Sequence, residues 1–467
     1  MLIILAGLPG TGKSTLAREL SKDLGAVHLN SDIIRKELLK ERTYSEEEKE
    51  RVYSKLLERV GEELKSEKIV IIDATFYKEE LRRRVIGIVK ENNSEFVIIE
   101  CVLEEKIVKE RIENRRKGVS EADFEVYKKI KKEFEEIKEE HLVLDTSKEL
   151  KVQVEDVEGY ILLENLKKKY ELIQTHISWV FLDREFVYKI KKPMKFSFLD
   201  FSTLEKRKFY CEEEIRLNKR LAPEVYLEVV PLSIGKKIIE YSVKMRRLPE
   251  EKKMSNLITK GKVSEEQVKE LAEIVSEFHS RIKVIMDEKF NSPEMFKEQF
   301  DDLGGVGEII EQACGLGNKV DSIIQKTDLF IEKNKELIRK RQKEGRIREC
   351  HGDLHTGNIF LLEKPIIFDC IEFNEEFRFT DTIADVAFLG MDLDANQRED
   401  LSRIFVEEYS KLSKDIEIPK LLNLYKCYRA NVRAKVGAIT YSQHPNEEAK
   451  KNMIKYLELA EKYSKEL

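Results

Sequence analysis

Five apolar residues, Leu2-Ile3-Ile4-Leu5-Ala6, run straight into Gly7-Leu8-Pro9-Gly10-Thr11-Gly12-Lys13-Ser14, and no other stretch of the chain constrains the fold as tightly. The octet fits GxxxxGK[ST], and Ser14–Leu24 after it has helical spacing, with Leu16, Leu20 and Leu24 on one face. Strand, glycine-rich turn and helix in that order gather backbone N–H groups and a helix N-terminus around one point, which suits a phosphate. Lys13 would then reach the terminal phosphates of ATP and the Ser14 hydroxyl would hold Mg²⁺. Gly7, Gly10, Thr11, Gly12 and Thr15 complete the expected nucleotide-binding loop. Because the loop follows at once and no basic segment precedes it, the apolar start reads as a buried strand rather than a signal segment.

Further apolar runs at Ala26–Leu29, Ile69–Ile72, Phe96–Val102 and His141–Leu144 alternate with helical stretches such as Glu46–Lys65. That alternation predicts an α/β domain, a parallel sheet with helices on both faces. Asp73 ends the third run, where a carboxylate holds Mg²⁺ through water; opening a turn is its other role. Asn30-Ser31-Asp32-Ile33-Ile34-Arg35 follows the second run, on the same rim as the glycine-rich loop. Asp32 is placed to accept a proton from an attacking hydroxyl and Arg35 to hold an anionic substrate group. Alternatively, Asp32 caps a helix beginning at Ile33.

The pair GLPGTGKST and SDIIR resembles the P-loop kinases, of AAA type, that include polynucleotide 5′-kinases and related small-molecule kinases. In that family the Asp of the DxxR element is the general base, which the resemblance assigns to Asp32. Arg111 and Arg115 are four residues apart on a Lys/Glu-rich helical stretch, with Arg116 beside them. They resemble the lid arginines that neutralise the transferring phosphate; a solvated basic face is the alternative.

Near residue 150 the pattern changes. A helical joint is expected at 156–170, between a P-loop domain at 1–155 and a second domain at 171–467. Strand candidates come first, at Trp179–Leu182, Glu185–Lys191, Tyr226–Val230 and Lys237–Met245, and 264–345 is nearly all helical. Strands followed by helices predict an α+β domain with two lobes. Within it stands His351-Gly352-Asp353-Leu354-His355-Thr356-Gly357-Asn358. A loop Asp five residues before an Asn suits phosphoryl transfer, the Asp accepting the acceptor's proton and the Asn holding Mg²⁺.

HGDLHTGN resembles the catalytic loop of aminoglycoside phosphotransferases, choline kinases and their relatives, whose fold is bilobal and protein-kinase-like. The resemblance implies Asp353 as base, Asn358 and Asp369 as metal ligands, and Asp385 as a buried brace. Phe186-Val187-Tyr188-Lys189-Ile190 is similar to the strand carrying the phosphate-binding Lys. Lys189 is the choice there, although Lys191 shares its strand face. Glu214, beside Glu212 and Glu213, is the expected ion-pair partner, and Met245 stands where a hinge would meet adenine. No GxGxxG precedes Lys189, which separates the domain from protein kinases. Thr175-His176-Ile177-Ser178-Trp179-Val180 and Leu221-Ala222-Pro223-Glu224-Val225-Tyr226 resemble bacterial proteins that fuse the two kinds of domain, there often in the opposite order. Arg429 and Arg433, one helical turn apart, and Lys435 suit either an acidic substrate or a helix surface.

The 467 residues carry 85 Lys and Arg against 90 Asp and Glu, a net charge of −5, which argues against a general nucleic-acid coat or a membrane-surface protein. No run approaches the roughly 20 apolar residues that span a bilayer. Six cysteines without a CxxC pair fit a reducing, cytoplasmic setting. The expected function is a bifunctional ATP-dependent phosphotransferase acting on hydroxyl groups of small molecules. Two alternatives stay open. The N-terminal domain would phosphorylate the 5′-hydroxyl of RNA or DNA, or one domain would be a nucleotide-binding regulatory module for the other. Aminoglycosides are disfavoured as acceptors because they are polycations.

Overall fold

Short apolar runs bounded by polar helices leave the chain one economical solution, strands inside and helices outside, and the N-terminal third adopts it. The structure, a computed structural model, describes residues 1–38, 46–114 and 122–467. In chain order the first elements are β1 (Leu2–Ala6), α1 (Lys13–Leu24), β2 (Val27–Asn30), α2 (Ser31–Leu38), α3 (Glu46–Lys65) and β3 (Val70–Asp73). Then come α4 (Glu79–Glu91), β4 (Phe96–Val102), α5 (Glu105–Glu113), α6 (Phe124–Glu133), β5 (Leu142–Asp145) and α7 (Leu150–Lys167). The five strands form one parallel sheet in the order β2-β3-β1-β4-β5.

All five residues of β1 are buried, and they alternate between two cores. Leu2, Ile4 and Ala6 pack with Val52, Leu56, Val60, Val85 and Val89 of α3 and α4. Ile3 and Leu5 pack with Leu16, Leu20, Val154, Val157 and Ile161 of α1 and α7. Period-two alternation in a doubly covered strand therefore assigns each helix to its face.

The chain forms two compact units, Met1–Asp183 with Val230–Ser242, and Arg184–Val229 with Val243–Leu467. The first thus reaches beyond the 1–155 expected from sequence, and the joint expected at 156–170 begins inside α7. It takes in β6 (Glu171–Gln174) and β7 (Ser178–Leu182), an antiparallel pair. It also takes in Val230–Ser242, because Ile234 joins the core of α1 and α7 while Lys237 Nζ lies 2.8 Å from both Asp23 and Glu158.

The second unit opens with β8 (Phe186–Lys191), the antiparallel pair β9 (Lys195–Phe196) and β10 (Leu199–Asp200), and α8 (Leu204–Asn218), followed by the parts of β11 (Tyr226–Ile234) and β12 (Lys237–Arg246) outside Val230–Ser242. β8 lies beside β12, and β12 beside β11. Helices follow as expected: α9 (Met254–Ile258), α10 (Glu265–Arg281), α11 (Pro293–Gly304), α12 (Gly307–Cys314) and α13 (Gly317–Lys343). Two small antiparallel pairs come next, β13 (Ile347–Glu349) with β16 (Phe379–Asp381), and β14 (Ile359–Phe360) with β15 (Ile366–Ile367). The short α14 (Glu375–Arg378) precedes β16, and α15 (Thr382–Ala395), α16 (Glu399–Ser413), α17 (Ile418–Gln443) and α18 (Glu447–Lys465) complete the unit. Among the described residues no helix is long and apolar enough to cross a membrane.

Every residue of α15 is buried, including three aspartates, so each carboxylate must find partners inside. Asp394 meets Lys426 Nζ at 2.7 Å and Tyr463 OH at 2.6 Å. At the head of the helix, Asp381 accepts the Ile383 N–H and binds Arg341 through two hydrogen bonds of 2.5 and 2.7 Å. The same guanidinium reaches Asp415 at 2.8 Å and Glu417 at 3.0 Å. Breaking a buried pair by removing one partner costs about 3–5 kcal/mol, because the other charge stays in the core. Arg341→Met should therefore lower the unfolding free energy of this unit by about that much in urea titration; a loss under about 1 kcal/mol would refute this account of the network.

Candidate active sites

A parallel sheet presents the carboxyl ends of its strands on one rim, where ligands of such folds bind. In the first unit a cleft of about 860 Å³ opens there, lined by the loop after β1, by Asn30, Ser31, Asp32, Ile33 and Arg35 at the end of β2, by Asp73–Thr75 at the end of β3 and by Thr146 and Lys148 after β5. Gly7 has φ +138°, and a Cβ there would lie 2.5 Å from the Cys101 carbonyl oxygen, so glycine is required for the loop to pass over β4. Lys13 Nζ and Thr11 Oγ1 both donate to Leu8 O, at 2.8 and 2.9 Å, which folds the loop on itself. Gly10, Gly12, Ser14 and Thr15 line the same cleft.

Behind the loop, Asn30 joins the pieces. Its Nδ2 donates to Asp73 Oδ2 at 2.5 Å and lies 3.5 Å from Ser14 Oγ. Its Oδ1 accepts the N–H groups of Asp32 and Ile33 at 2.9 and 3.0 Å. Asn30, not Asp32, is thus the cap, and α2 begins at Ser31 rather than Ile33. The capping role expected as an alternative for Asp32 is removed, and its carboxylate lines the cleft instead. Burial raises the Asp73 pKa, but the His28, Lys13 and Ser14 side chains outweigh it, and the group stays below the usual carboxylate value. Ser14 and Asp73, held about one amide group, are oxygen donors of the kind Mg²⁺ takes.

Arg35 is less open than expected. It bonds Asp32 at 2.7 Å and Glu48 at 2.9 Å, so two carboxylates already neutralise it. Arg111 comes to the glycine-rich loop, with Nη2 on Thr146 O at 3.1 Å and Nη1 3.5 Å from where a Gly12 Cβ would sit. Arg115 and Arg116 lie outside the described residues.

In the second unit, ion pairs assemble three separated segments. Lys189 Nζ lies 2.9 Å from Glu214 Oε1 and 2.7 Å from Asp369 Oδ1. Lys191 Nζ takes the other oxygen of Glu214 at 2.7 Å and binds Glu372. Glu214 is therefore the partner, as expected, and it serves both lysines. Only Lys189 reaches Asp369; Lys191 is sealed in. Met245 is buried one residue before the end of β12 and is not part of this ion-paired group.

Asp385 accepts the N–H of His351 at 2.8 Å and of Gly352 at 2.9 Å, which braces the loop as the sequence implied. Gly352 has φ +85°, and a Cβ would stand 2.9 Å from Phe377 O. Asn358 Nδ2 donates to Asp353 Oδ2 at 3.0 Å, and the His355 Nε2 lies 3.4 Å from the same oxygen. Burial pushes the Asp353 pKa up, but His355, His351 and Arg433 outweigh it and hold the carboxyl well below its usual range. Phe368 N–H bonds Asn358 O at 3.1 Å, so the β14–β15 pairing carries Asp369 next to Asn358. Asp369 itself has φ +66°, a strained conformation for a non-glycine residue and of the kind that gathers at functional sites. Asn358 and Asp369 supply a second small set of oxygen donors that fits Mg²⁺.

Several residues of both sites escaped the sequence reading: His28, Asn30, Tyr53 and Gln153 in the cleft, and His355, Glu372, Asp392 and Lys455 in the second unit. Only Asn30 and His355 carried a signal, the one at a strand end and the other inside HGDLHTGN.

Residues 2–137 match the AAA domain family and residues 208–421 match the phosphotransferase enzyme family. An uncharacterized protein of Mycobacterium tuberculosis is 33% identical over 280 residues, which are 59% of this chain and 56% of that protein. The chain thus spans about half the length of that relative. Over 101 residues, 21% of this chain and 40% of the other, it is 33% identical to an L-seryl-tRNA(Sec) kinase of Methanococcus maripaludis. Among solved structures, the GDP and kanamycin complex of APH(2″)-IIia aligns with 66% of this chain and 98% of its own, at 12% identity and a TM-score of 0.40. The chain therefore joins a P-loop domain of the AAA type to a domain of the phosphotransferase enzyme family.

Proposed function

We propose that the chain is a bifunctional ATP-dependent phosphotransferase, each domain moving the γ-phosphoryl group of MgATP to a hydroxyl of a small-molecule acceptor. One observation carries the reading: each unit gathers an aspartate, a lysine and a pair of magnesium-type oxygen donors. In the second unit these are Asp353, Lys189, and Asn358 with Asp369. In the first they are Asp32, Lys13, and Ser14 with Asp73, all lining one cleft.

Phosphoryl transfer asks for positioning and charge neutralisation more than covalent chemistry. Asp353 takes the acceptor's proton, and Asn358, donating to one of its oxygens, leaves the other for the hydroxyl. Lys189 faces the phosphates, kept in place by Glu214. In the cleft, Asp32 is the base and Arg111 closes over the loop from α5. Bound Mg²⁺ would supply the remaining neutralisation of the β and γ phosphates at each donor pair. The six cysteines, none in a disulfide, fit a cytoplasmic location for such chemistry.

A second reading is that the N-terminal site phosphorylates the 5′-hydroxyl of RNA or DNA; the SDIIR element supports it, and the likeness to an L-seryl-tRNA(Sec) kinase favours an acceptor carried on RNA. Arg18, Lys49 and Lys129 along the cleft would meet the RNA phosphates.

Labelled ATP offered with a metabolite pool and, separately, with RNA oligonucleotides distinguishes these readings. Labelled products should fall about 100-fold or more with Asp32→Asn for one set and with Asp353→Asn for another, the range of a lost general base. If one substitution abolishes every product, that domain is the catalyst and the other is regulatory; if neither matters, the reading fails. A pH profile adds an independent check. The depressed pKa of Asp353 keeps it ionised, so kcat/KM of the C-terminal reaction should show no acid limb down to about pH 5. His355→Ala removes the largest neighbour holding that pKa down, and the acid limb should then move to higher pH; a profile that stays unchanged contradicts the assignment.

A further inference from the structure

Two cations beside the catalytic loop of the second unit have no carboxylate at ion-pair distance among the described residues, and the transfer above gives neither a contact with the acceptor. Among the described residues, Arg433 of α17 hydrogen-bonds only the Tyr456 hydroxyl, at 3.5 Å, with its guanidinium 5.2 Å from the centre of that ring. Lys455 of α18 lies 5.5 Å from the same ring centre. Neither has an ion-pair partner among the described residues. Their neighbours on these helices do: Lys426 pairs with Asp394, and Lys435 with Asp302 at 3.0 Å. Arg429, the other arginine singled out from sequence, is buried, bonded to Ala384 O and stacked near Phe388, so it belongs to the core.

A chain of contacts locates the pair. Thr356 of the catalytic loop donates from both N–H and Oγ1 to Asp392 Oδ2, at 2.9 and 2.6 Å. Tyr456 OH donates to the other oxygen of Asp392 at 3.4 Å. The ring that Arg433 and Lys455 share is thus tied to the loop that carries Asp353. Arg433 acts on Asp353 and Asp392 electrostatically, and Lys455 on Asp392. Both side chains are half-buried. Burial pushes the Lys455 pKa down, because its charge is only partly compensated within the fold. An ammonium and a guanidinium held this way are short of negative charge, which an incoming anion supplies.

We propose that the C-terminal site takes an acceptor bearing an anionic oxygen group, phosphate or carboxylate, gripped by Arg433 and Lys455 while its hydroxyl lies on Asp353. The inference rests on the reading of Asp353 as the base. It gives the domain an acceptor opposite in charge to an aminoglycoside, which these two cations repel.

The test uses the full chain carrying Lys13→Ala, which weakens phosphate binding at the N-terminal loop, saturated with Mg²⁺ and a non-hydrolysable ATP analogue. Inorganic phosphate and acetate are the probes, against KCl at equal ionic strength. The readout is the melting temperature, whose dependence on concentration gives a dissociation constant. At least one probe should stabilise beyond KCl, and which one does so tells a phosphate group from a carboxylate. Arg433→Gln and Lys455→Gln should each weaken that binding about tenfold or more, as expected for a lost charge-assisted hydrogen bond. Lys435→Gln should leave it unchanged. Stabilisation no greater than with KCl, or equal in the Arg433→Gln chain, overturns the proposal. ATP turnover in the Lys13→Ala chain separates the two claims. If Asp353→Asn leaves turnover unchanged while probe binding follows Arg433, the base assignment falls and the anion site stands.

Discussion

The aim of the C-terminal site depends on one buried carboxylate. Asp385 is fully enclosed, and an enclosed charge is tolerated only when donors surround it. It has the N–H groups of His351 and Gly352, and the His279 Nε2 at 3.2 Å, whose Nδ1 in turn meets Tyr409 OH at 2.8 Å. Burial raises its pKa, yet His279 and the other neighbours outweigh burial and set it at about 2. The carboxylate is therefore charged at any ordinary pH and cannot turn away from the two amides without standing unpaired. That fixes Gly352 in its left-handed conformation and, with it, the direction of Asp353. His279, Cys350 and Asp385 are close enough to suggest a metal site, but the hydrogen bonds of His279 are taken by Asp385 and Tyr409, so the group reads as a brace.

The N-terminal site reaches the same end with a neutral side chain. Asn30 spends its amide on Asp73 and its carbonyl on the first turn of α2, so strand ends β2 and β3 and the Asp32 helix become one rigid piece. In both units the group expected to react is held by one that does not. Such second contacts decide whether a base sits within the few tenths of an ångström that positioning catalysis demands.

Much of this was legible in the sequence because the grammar is local. The strand, glycine-rich turn and helix of residues 2–24 imply one another, and HGDLHTGN carries Asp353 and Asn358 within one loop. Other features needed the fold. Asn30 gains its role only because β2 lies beside β3, and Arg35 is neutralised by Glu48 from a different helix. Lys189 and Lys191 share a strand face and even share Glu214; only Glu372, brought in from beyond β15, claims Lys191 and leaves Lys189 for Asp369. Likewise, Lys455 has meaning only where α18 lies along α17, since Tyr456 links it to Arg433 and to the loop. The reach of the first unit into Val230–Ser242 was equally invisible, for a hairpin's own pattern does not say which core its tip will join.

The proposed function requires two nucleotide pockets in one chain, and the stoichiometry of binding tests it most directly. Calorimetry of the full chain with a non-hydrolysable ATP analogue and Mg²⁺ should give two equivalents per chain, one removed by Lys13→Ala and the other by Lys189→Ala. A single equivalent, or two that both survive either substitution, would contradict it.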